Sequence, residues 1–541
     1  MKINLFWLSR ESEPPRWALG NVVVSSPEPR AVDETLRTVL PTEEADAWLF
    51  WDARLPLAKV EVLEALLQQQ NDVFHAGLLL GSAGQPGLID YVSPTWMLNR
   101  DPDAAIEATS WRLSLRACLI RTEVLRQLGG PLPGFETLEA ASLEMGYRYI
   151  RNGVFLRHCP QLLAHLLADA AFSLPAADQL KFITAGFGKK WLYWAAFRAL
   201  ANHTFTPGIL LKALKGASHF APRRQVTPYV HQQVEQEIPP PSPGVSVLIP
   251  TVNRYPYLRT VLSQLRQQTV KPLEIIIIDQ TPPGSRDLKL AAEIEDLPVR
   301  WFEMGSAGQC SSRNLGIQEA KGEYIFLIDD DIELQAGTIK QHLDSIQNNQ
   351  THISNGIVNE SVSPRNDLQK IFNKMTDVFP GGNTMIKKNV LTVCGLFDLA
   401  YDHGQRADHD LGMRIYLAGQ KMVIDPRISV FHHHAPQGGL REHKARVTTR
   451  TASRKSLIAR VLPSPSDIYL SKRYFTRHQV REMLWISVFE TFTYDGPAWR
   501  KIVKLVISLV ALPGTLSHLK SNIKSADELL QRFPQIPRLP E

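Results

Sequence analysis

The stretch "GEYIFLIDDDIEL", Gly322 to Leu334, places three aspartates, Asp329, Asp330 and Asp331, directly after the apolar run Tyr324 to Ile328. Such a run predicts a strand buried on both faces. Carboxylates crowded at its end repel one another unless a cation or ligand donors compensate. A solvated turn or helix cap accounts for one aspartate more readily than for three. A hard divalent cation, Mg²⁺ or Mn²⁺, sharing its oxygen ligands with a phosphate, is the stronger reading.

Upstream, "VSVLIP" (Val245 to Pro250) and "LEIIIIDQ" (Leu273 to Gln280) are further β-branched runs, and "YLRTVLSQLRQQ" (Tyr257 to Gln268) between them has helical spacing. "VRWFEM" (Val299 to Met304) predicts a third strand, and "SSRNLGIQEAKG" a helix closed by Gly322 before the fourth strand. Strand and helix alternate, so the expectation is a layered α/β fold with a parallel sheet. Ligands gather at the carboxyl ends of such strands, where Asp279 and Asp329 to Asp331 fall.

Two more clusters carry chemistry. In "RADHDLGMRIYLAG" (Arg406 to Gly419), Asp408 and Asp410 open a helix. The helix dipole favours anions there, which suffices to explain one of them. Asp408 is the candidate general base, and Asp410 is expected to cap the helix or orient an acceptor. "SVFHHHAP" ends an apolar segment in His432, His433 and His434, one of which could complete a metal site beside the aspartates.

The chain also repeats itself. "ACLIRTEVLRQLGG" (Ala117 to Gly130) aligns with "NTMIKKNVLTVCGL" (Asn383 to Leu396), and the same register (124 and 390 differ by 266) pairs Gly129 with Gly395, Gly146 with Gly412, Arg148 with Arg414 and Gly153 with Gly419. Ser142 then stands opposite Asp408, and Glu144 opposite Asp410. A second offset lays "FWDARL" over "LIDDDI", so that Asp52 meets Asp329 while Ala53 and Arg54 take the places of Asp330 and Asp331.

From Val245 to about His434 the motifs, in order, resemble a glycosyltransferase family 2 catalytic domain of the GT-A fold: "VSVLIPTVNR", "IIIIDQTPPGS", "GQCSSRNLGIQEAKGEYIFLIDDD", "GGNTMIKKNVLTVCGLFD" and "ADHDLGMRIYLAG". The resemblance implies that Pro250, Thr251, Asn253 and Asp279 line a nucleotide pocket with Arg313 nearby. It implies further that Asp329 and Asp330 face ribose and donor sugar, that Asp331 and His432 bind Mn²⁺ or Mg²⁺, and that Asp408 is the base of an inverting transfer. The chain departs from the family in having Ala407 before Asp408, where an acid is common, and Gln280-Thr281-Pro282-Pro283 after the second strand.

The domain organisation expected is a degenerate GT-A-like domain over 1–170, non-catalytic because Ala53, Arg54 and Ser142 replace acids, then a helical connector over 171–236. A Pro-rich linker at 237–244, the transferase domain at 245–440 and a basic, mostly helical region at 441–541 follow. The implied partners are a nucleotide-diphosphate sugar and a glycan or lipid-linked acceptor, as in the synthesis of cell-surface or exported polysaccharide; no nucleic acid is expected. Two rivals are a non-catalytic glycan-binding scaffold and a sugar-1-phosphate nucleotidyltransferase; the latter is disfavoured because "LIPTVNRYPYL" lacks a glycine-rich phosphate loop.

Composition is that of an ordinary globular protein, 44% hydrophobic and 21% charged, and a net charge of +6 over 541 residues does not by itself select a partner. Four widely spaced cysteines suit a reducing compartment. No signal peptide is expected, and "LVISLVALPG" (Leu505 to Gly514) is short of the roughly 20 residues of a membrane span. A cytoplasmic protein follows, with core packing or a peripheral contact at the inner face of the membrane as the alternatives for "WRKIVKLVISLVALPG".

Overall fold

The computed structural model describes residues 1–77, 87–92, 96–164, 174–220, 228–231, 244–359, 372–435 and 450–539. The Pro-rich linker, apart from Gly244, and the basic positions Arg441, Lys444 and Arg446 lie outside them.

Two sheets organise the chain. The first holds β1 (Ile3–Leu8), β2 (Val22–Ser25), β3 (Ala47–Asp52), β4 (Val73–His75), β5 (Ala108–Thr109), β6 (Ala117–Arg121) and β7 (Leu156–His158), in the order β2-β1-β3-β6-β4-β7-β5. The second holds β8 (Val245–Thr251), β9 (Glu274–Asp279), β10 (Val299–Glu303), β11 (Tyr324–Ile328), β12 (Ile332–Glu333), β13 (Ile353–Asn359), β14 (Lys374–Met375), β15 (Asn383–Lys387) and β16 (Met422–His432). Its order is β10-β9-β8-β11-β15-β13-β16-β12, with β14 also on β16. Both sheets are mixed. β10, β9, β8 and β11 run parallel as expected, and β15 returns antiparallel to β11.

Set aside β10 and β12, and the sheets coincide strand for strand in order and direction: β1, β2, β3, β4, β5, β6 and β7 answer to β8, β9, β11, β13, β14, β15 and β16. Fine detail coincides too. Gly129 and Gly395 end their helices at φ 74° and 78°. Arg148 donates to the carbonyls of Leu128 and Gly130 and pairs with Glu144; Arg414 donates to those of Cys394 and Leu396 and pairs with Asp410.

The helices that matter here are α1 (Leu138–Arg151), α2 (Lys189–Ala201), α3 (Gln309–Glu319), α4 (Ala407–Leu417), α5 (Pro465–Tyr474), α6 (Arg477–Glu490), α7 (Ala498–Val510) and α8 (Leu512–Arg532). α1 and α4 carry the glycines Gly146 and Gly412, each lacking a Cβ because the backbone of the loop ahead of the next strand lies against it, at Trp111 and Asp377. α3 ends at Glu319. Gly322 therefore does not close it; its backbone instead passes so close to Gly244 and Ser246 that a side chain has no room.

The halves meet through matched positions. Gly153 (φ 93°) packs on Phe372 and Asn373, and its counterpart Gly419 (φ 75°) packs on Ile106 and Glu107, the counterparts of those two residues. Gln70, three residues before β4, donates its N–H to the side chain of Gln350, three residues before β13, at 2.8 Å. Phe155 faces the Lys421 ammonium at 4.4 Å from its ring centre, and these are again counterparts. Reciprocal contact of this kind is the signature of an approximate twofold axis.

Candidate active site

The end of β11 is where the second sheet concentrates charge. Thr251, at the end of β8, donates its hydroxyl to Asp330 at 2.7 Å. The Arg254 guanidinium reaches Asp330 at 3.0 Å and Asp331 at 3.2 Å, providing the counter-charge the three aspartates require. Burial pushes the Asp330 carboxyl up to about 6 in spite of Arg254. Asp331 is also buried, but His432 and Arg254 outweigh the desolvation and hold it at about 2.

His432 reaches back from the end of β16 through its antiparallel pairing with β12. Its Nε2 lies 3.0 Å from Asp331 Oδ1, a buried oxygen that accepts no well-formed hydrogen bond. The triplet divides its roles: His433 pairs with Glu333 at 2.9 Å, leaving His432 as the imidazole on Asp331. Among the described residues no three His, Cys, Asp or Glu side chains converge as a ready-made cage. A hard cation that takes one carboxylate and one imidazole from the protein and its remaining oxygens from phosphate and water fits this pair.

At the neighbouring strand end, Asp279 accepts from Tyr255 Oη at 2.7 Å and from the Thr281 N–H at 2.9 Å. Asn253 adopts φ 54° and donates its N–H to Thr281 Oγ1 at 2.9 Å, so the turn after β8 is tied to the turn after β9 beside partly exposed Pro250. Gln280 accepts the Gly308 N–H at 2.6 Å. The unusual Gln-Thr pair thus anchors both flanking loops.

Across the crevice, Asp408 sits in the first turn of α4 and accepts the Gly381 N–H at 3.2 Å. Arg313 from α3 donates to Asp329 at 3.0 Å. A Cβ on Gly381 would stand 2.9 Å from Asp408 and one on Gly382 2.6 Å from Asp329, so the glycine pair forms the floor between the two carboxylates. Burial raises the Asp408 pKa, Arg313 opposes it and the Asp329 charge adds to it. A half-enclosed carboxylate of raised proton affinity at a crevice is what a general base requires.

Asp410 departs from expectation. It is fully buried, bonded to Arg414 at 2.8 Å and Tyr474 at 2.6 Å, and no side chain caps α4. It therefore neither caps the helix nor faces an acceptor; it ties α4 to α5. Sequence reasoning overlooked Arg254, Tyr255, Thr281, Gly381 and Gly382, although the Gly-Gly pair was a visible signal of close backbone approach.

In the first sheet the same hydrogen bonds persist with different chemistry. The Leu115 N–H donates to Ser142 Oγ at 3.3 Å where Gly381 donates to Asp408. Asp52 is bound by Arg54 at 2.7 Å and by Arg116, the counterpart of Gly382, at 2.8 Å. The two arginines bind Asp52 and hold its carboxyl at about 2 against its burial.

Residues 246–397 match glycosyl transferase family 2. Curated relatives include the uncharacterized glycosyltransferase EpsJ of Bacillus subtilis, 30% identical over 20% of this chain and 33% of its own. Another is the GalNAc(5)-diNAcBac-PP-undecaprenol beta-1,3-glucosyltransferase of Campylobacter jejuni, 28% identical over 20% of this chain and 37% of its own. The chain thus spans about a third of the length of each of these two relatives. Among solved structures, the mannosyltransferase PcManGT from Pyrobaculum calidifontis in complex with GDP-Man and Mn²⁺ is 15% identical, with a TM-score of 0.36 over 53% of this chain and 86% of that one. Residues 246–397, which carry Asp279, Arg313 and Asp329 to Asp331, are a glycosyltransferase family 2 domain.

Proposed function

We propose that the chain is an inverting glycosyltransferase that moves a sugar from a nucleotide diphosphate to a hydroxyl of a glycan or lipid-linked acceptor. The observation that carries this is the pairing, across the Gly381-Gly382 floor, of Asp408 with the Asp329 to Asp331 cluster. Asp408 takes the acceptor proton as the acceptor oxygen bonds to the anomeric carbon. The bond from that carbon to the diphosphate breaks, and the nucleoside diphosphate leaves with the electron pair. Arg313 holds Asp329, and Thr251 with Arg254 holds Asp330, each fixing a carboxylate for donor hydroxyls. Asp331 and His432 would hold Mn²⁺ or Mg²⁺, which when bound supplies positive charge to the leaving diphosphate.

The first sheet is, on this reading, a non-catalytic copy whose acidic positions are Ala53, Arg54 and Ser142. Four buried free thiols, Cys118, Cys159, Cys310 and Cys394, support a cytoplasmic location. Asp408→Asn is the test. The amide oxygen keeps the Gly381 hydrogen bond, so nucleotide-diphosphate binding by calorimetry should stay near wild type while transfer falls on the order of 10²- to 10⁴-fold. Transfer at the wild-type rate would remove Asp408 as the base.

A further inference from the structure

Helix α7 is inside out. It exposes Trp499, Ile502, Val506 and Val510 at 59, 64, 55 and 79%, whereas Lys504 and Ser508, at 0 and 2%, face the protein. The buried polar groups are satisfied: Lys504 donates to the carbonyls of Ser456 and Ala459 at 2.9 and 2.8 Å, and Ser508 to that of Thr491 at 2.8 Å. A surface helix that meets water has the opposite arrangement. Here the fold meets the cost of burying a lysine by pairing it and turns the apolar side outward, which marks an interaction face.

The face does not end with α7. Next to the segment that receives Ser508, α6 exposes Trp485 and Phe489. Phe489 meets Trp194 and Phe197 of α2 at 5.1 and 6.4 Å between ring centres, and α2 also exposes Tyr193 and Leu200. Beyond Glu490, which pairs with Arg454, and Asp495 ahead of α7, the exposed charge on α7 and α2 is cationic. No Asp or Glu occurs from Pro497 to Ser525 or within α2, whereas Arg500 and Lys501 begin α7 and Lys189 and Lys190 begin α2, all four exposed.

We propose that this face docks on an anionic lipid surface, with α7 lying in the interface plane, its apolar side in the acyl region and Arg500 and Lys501 among the headgroups. Its length supports lying over crossing: 13 residues at about 1.5 Å each fall short of a hydrocarbon core of about 30 Å. α8 then turns away by 63°, and among the described residues no single helix is long and apolar enough to cross a membrane. A second copy of the chain is the weaker occupant, because the cationic helix starts of α7 and α2 would repel their own copies across a twofold axis.

The test is flotation of the full chain with vesicles of phosphatidylcholine alone or containing about a third phosphatidylglycerol. The wild type should float with the anionic vesicles, less so in high salt, and Ile502→Asp/Val506→Asp should bind them at least about tenfold more weakly. Both positions are exposed, so circular dichroism and nucleotide binding should not change in the variant. Absence of wild-type binding to anionic vesicles, or equal binding by the double variant, would overturn the proposal. So would a wild-type dimer in sedimentation that the same substitutions dissolve, without vesicle binding, assigning the face to a second copy. Vesicle binding reads this proposal independently of sugar transfer, so either can fail alone.

Discussion

Lys421 is where the contact between the two halves is most exposed to measurement. Its ammonium donates to the Gln70 carbonyl at 2.8 Å, to Asn71 Oδ1 at 2.7 Å and to the Asn349 carbonyl at 2.7 Å, with the Phe155 ring beneath it. Lys421→Met keeps the volume and takes the donor from three acceptors, two buried and one partly buried, at about 1 kcal/mol or more each. Removal of a buried charge returns part of this, so a net loss of about 2–4 kcal/mol follows. With about 2 cal/mol/K of melting entropy per residue and 541 residues, the melting temperature should fall by about 2–4 °C if the halves unfold together. Differential scanning calorimetry also separates the electrostatic part. Burial, with Arg157 adding to it, lowers the Lys421 pKa well below 10.5. Between that depressed value and 10.5 the unfolded chain binds a proton that the folded chain does not, so wild-type stability climbs with pH there. The methionine variant lacks that slope, and its deficit should widen as pH rises. A shift under about 1 °C, or a deficit independent of pH, would refute the assignment of Lys421 as the interdomain anchor.

Other expectations follow from the same geometry. Because burial raises the Asp408 pKa, the acid limb of kcat/KM should inflect above the ordinary carboxylate range; an inflection within that range would show the base to be another group. Asp377, whose carboxylate accepts the Met97 N–H across the halves at 2.8 Å, is pushed up to about 6 by burial. Its folded-state pKa exceeds 3.8, so the stability it contributes is complete below that pH and lost as pH rises through about 6, a difference of about 3 kcal/mol that Asp377→Asn should abolish in urea titrations. Gly382→Arg copies Arg116 of the first sheet and should close the donor site onto Asp329, weakening nucleotide-diphosphate binding on the order of a hundredfold with little change in melting; undiminished binding by calorimetry would show that the floor is not the donor site.

How far the sequence carried the fold depended on the kind of signal. Apolar runs marked β8, β9 and β11 to within a residue or two, because a strand buried on both faces has little place for a polar side chain, and the partly buried edge strand β10 matched as closely. The antiparallel return of β15 left no mark, since strand direction is set by the path of the connection and not by side-chain type. Asp329, Asp330, Asp331, Asp408 and His432 were legible as charge in unlikely places. Arg254 was not, because a lone arginine after a strand reads as surface; only the fold shows that it faces two carboxylates. Asp410 misled for the converse reason. Its place in the first turn of a helix suggested a cap, whereas Arg414 one turn on and Tyr474 from α5 take it inward, as Arg148 takes Glu144.

The two halves differ in chemistry at the crevice and keep their mutual contacts at the seam between them. At the crevice, Asp330, Asp331, Asp408 and Gly382 correspond to Ala53, Arg54, Ser142 and Arg116, and each exchange removes an acid or puts an arginine where the other half has a glycine. At the seam, Gly153 and Gly419 retain left-handed φ values, because either one needs the absence of a Cβ to let the other half's chain pass. Phe155 and Lys421 differ in type yet remain in contact, each supplying what the other lacks, an aromatic face and a cation. Such complementation is open only to two halves encoded separately; a true twofold pairing would set phenylalanine on phenylalanine or lysine on lysine. Lys421 follows α4 directly, so the seam bears on the element that carries Asp408. The first half contributes to the crevice of the second through packing, by fixing the chain at the far end of the helix from which Asp408 projects.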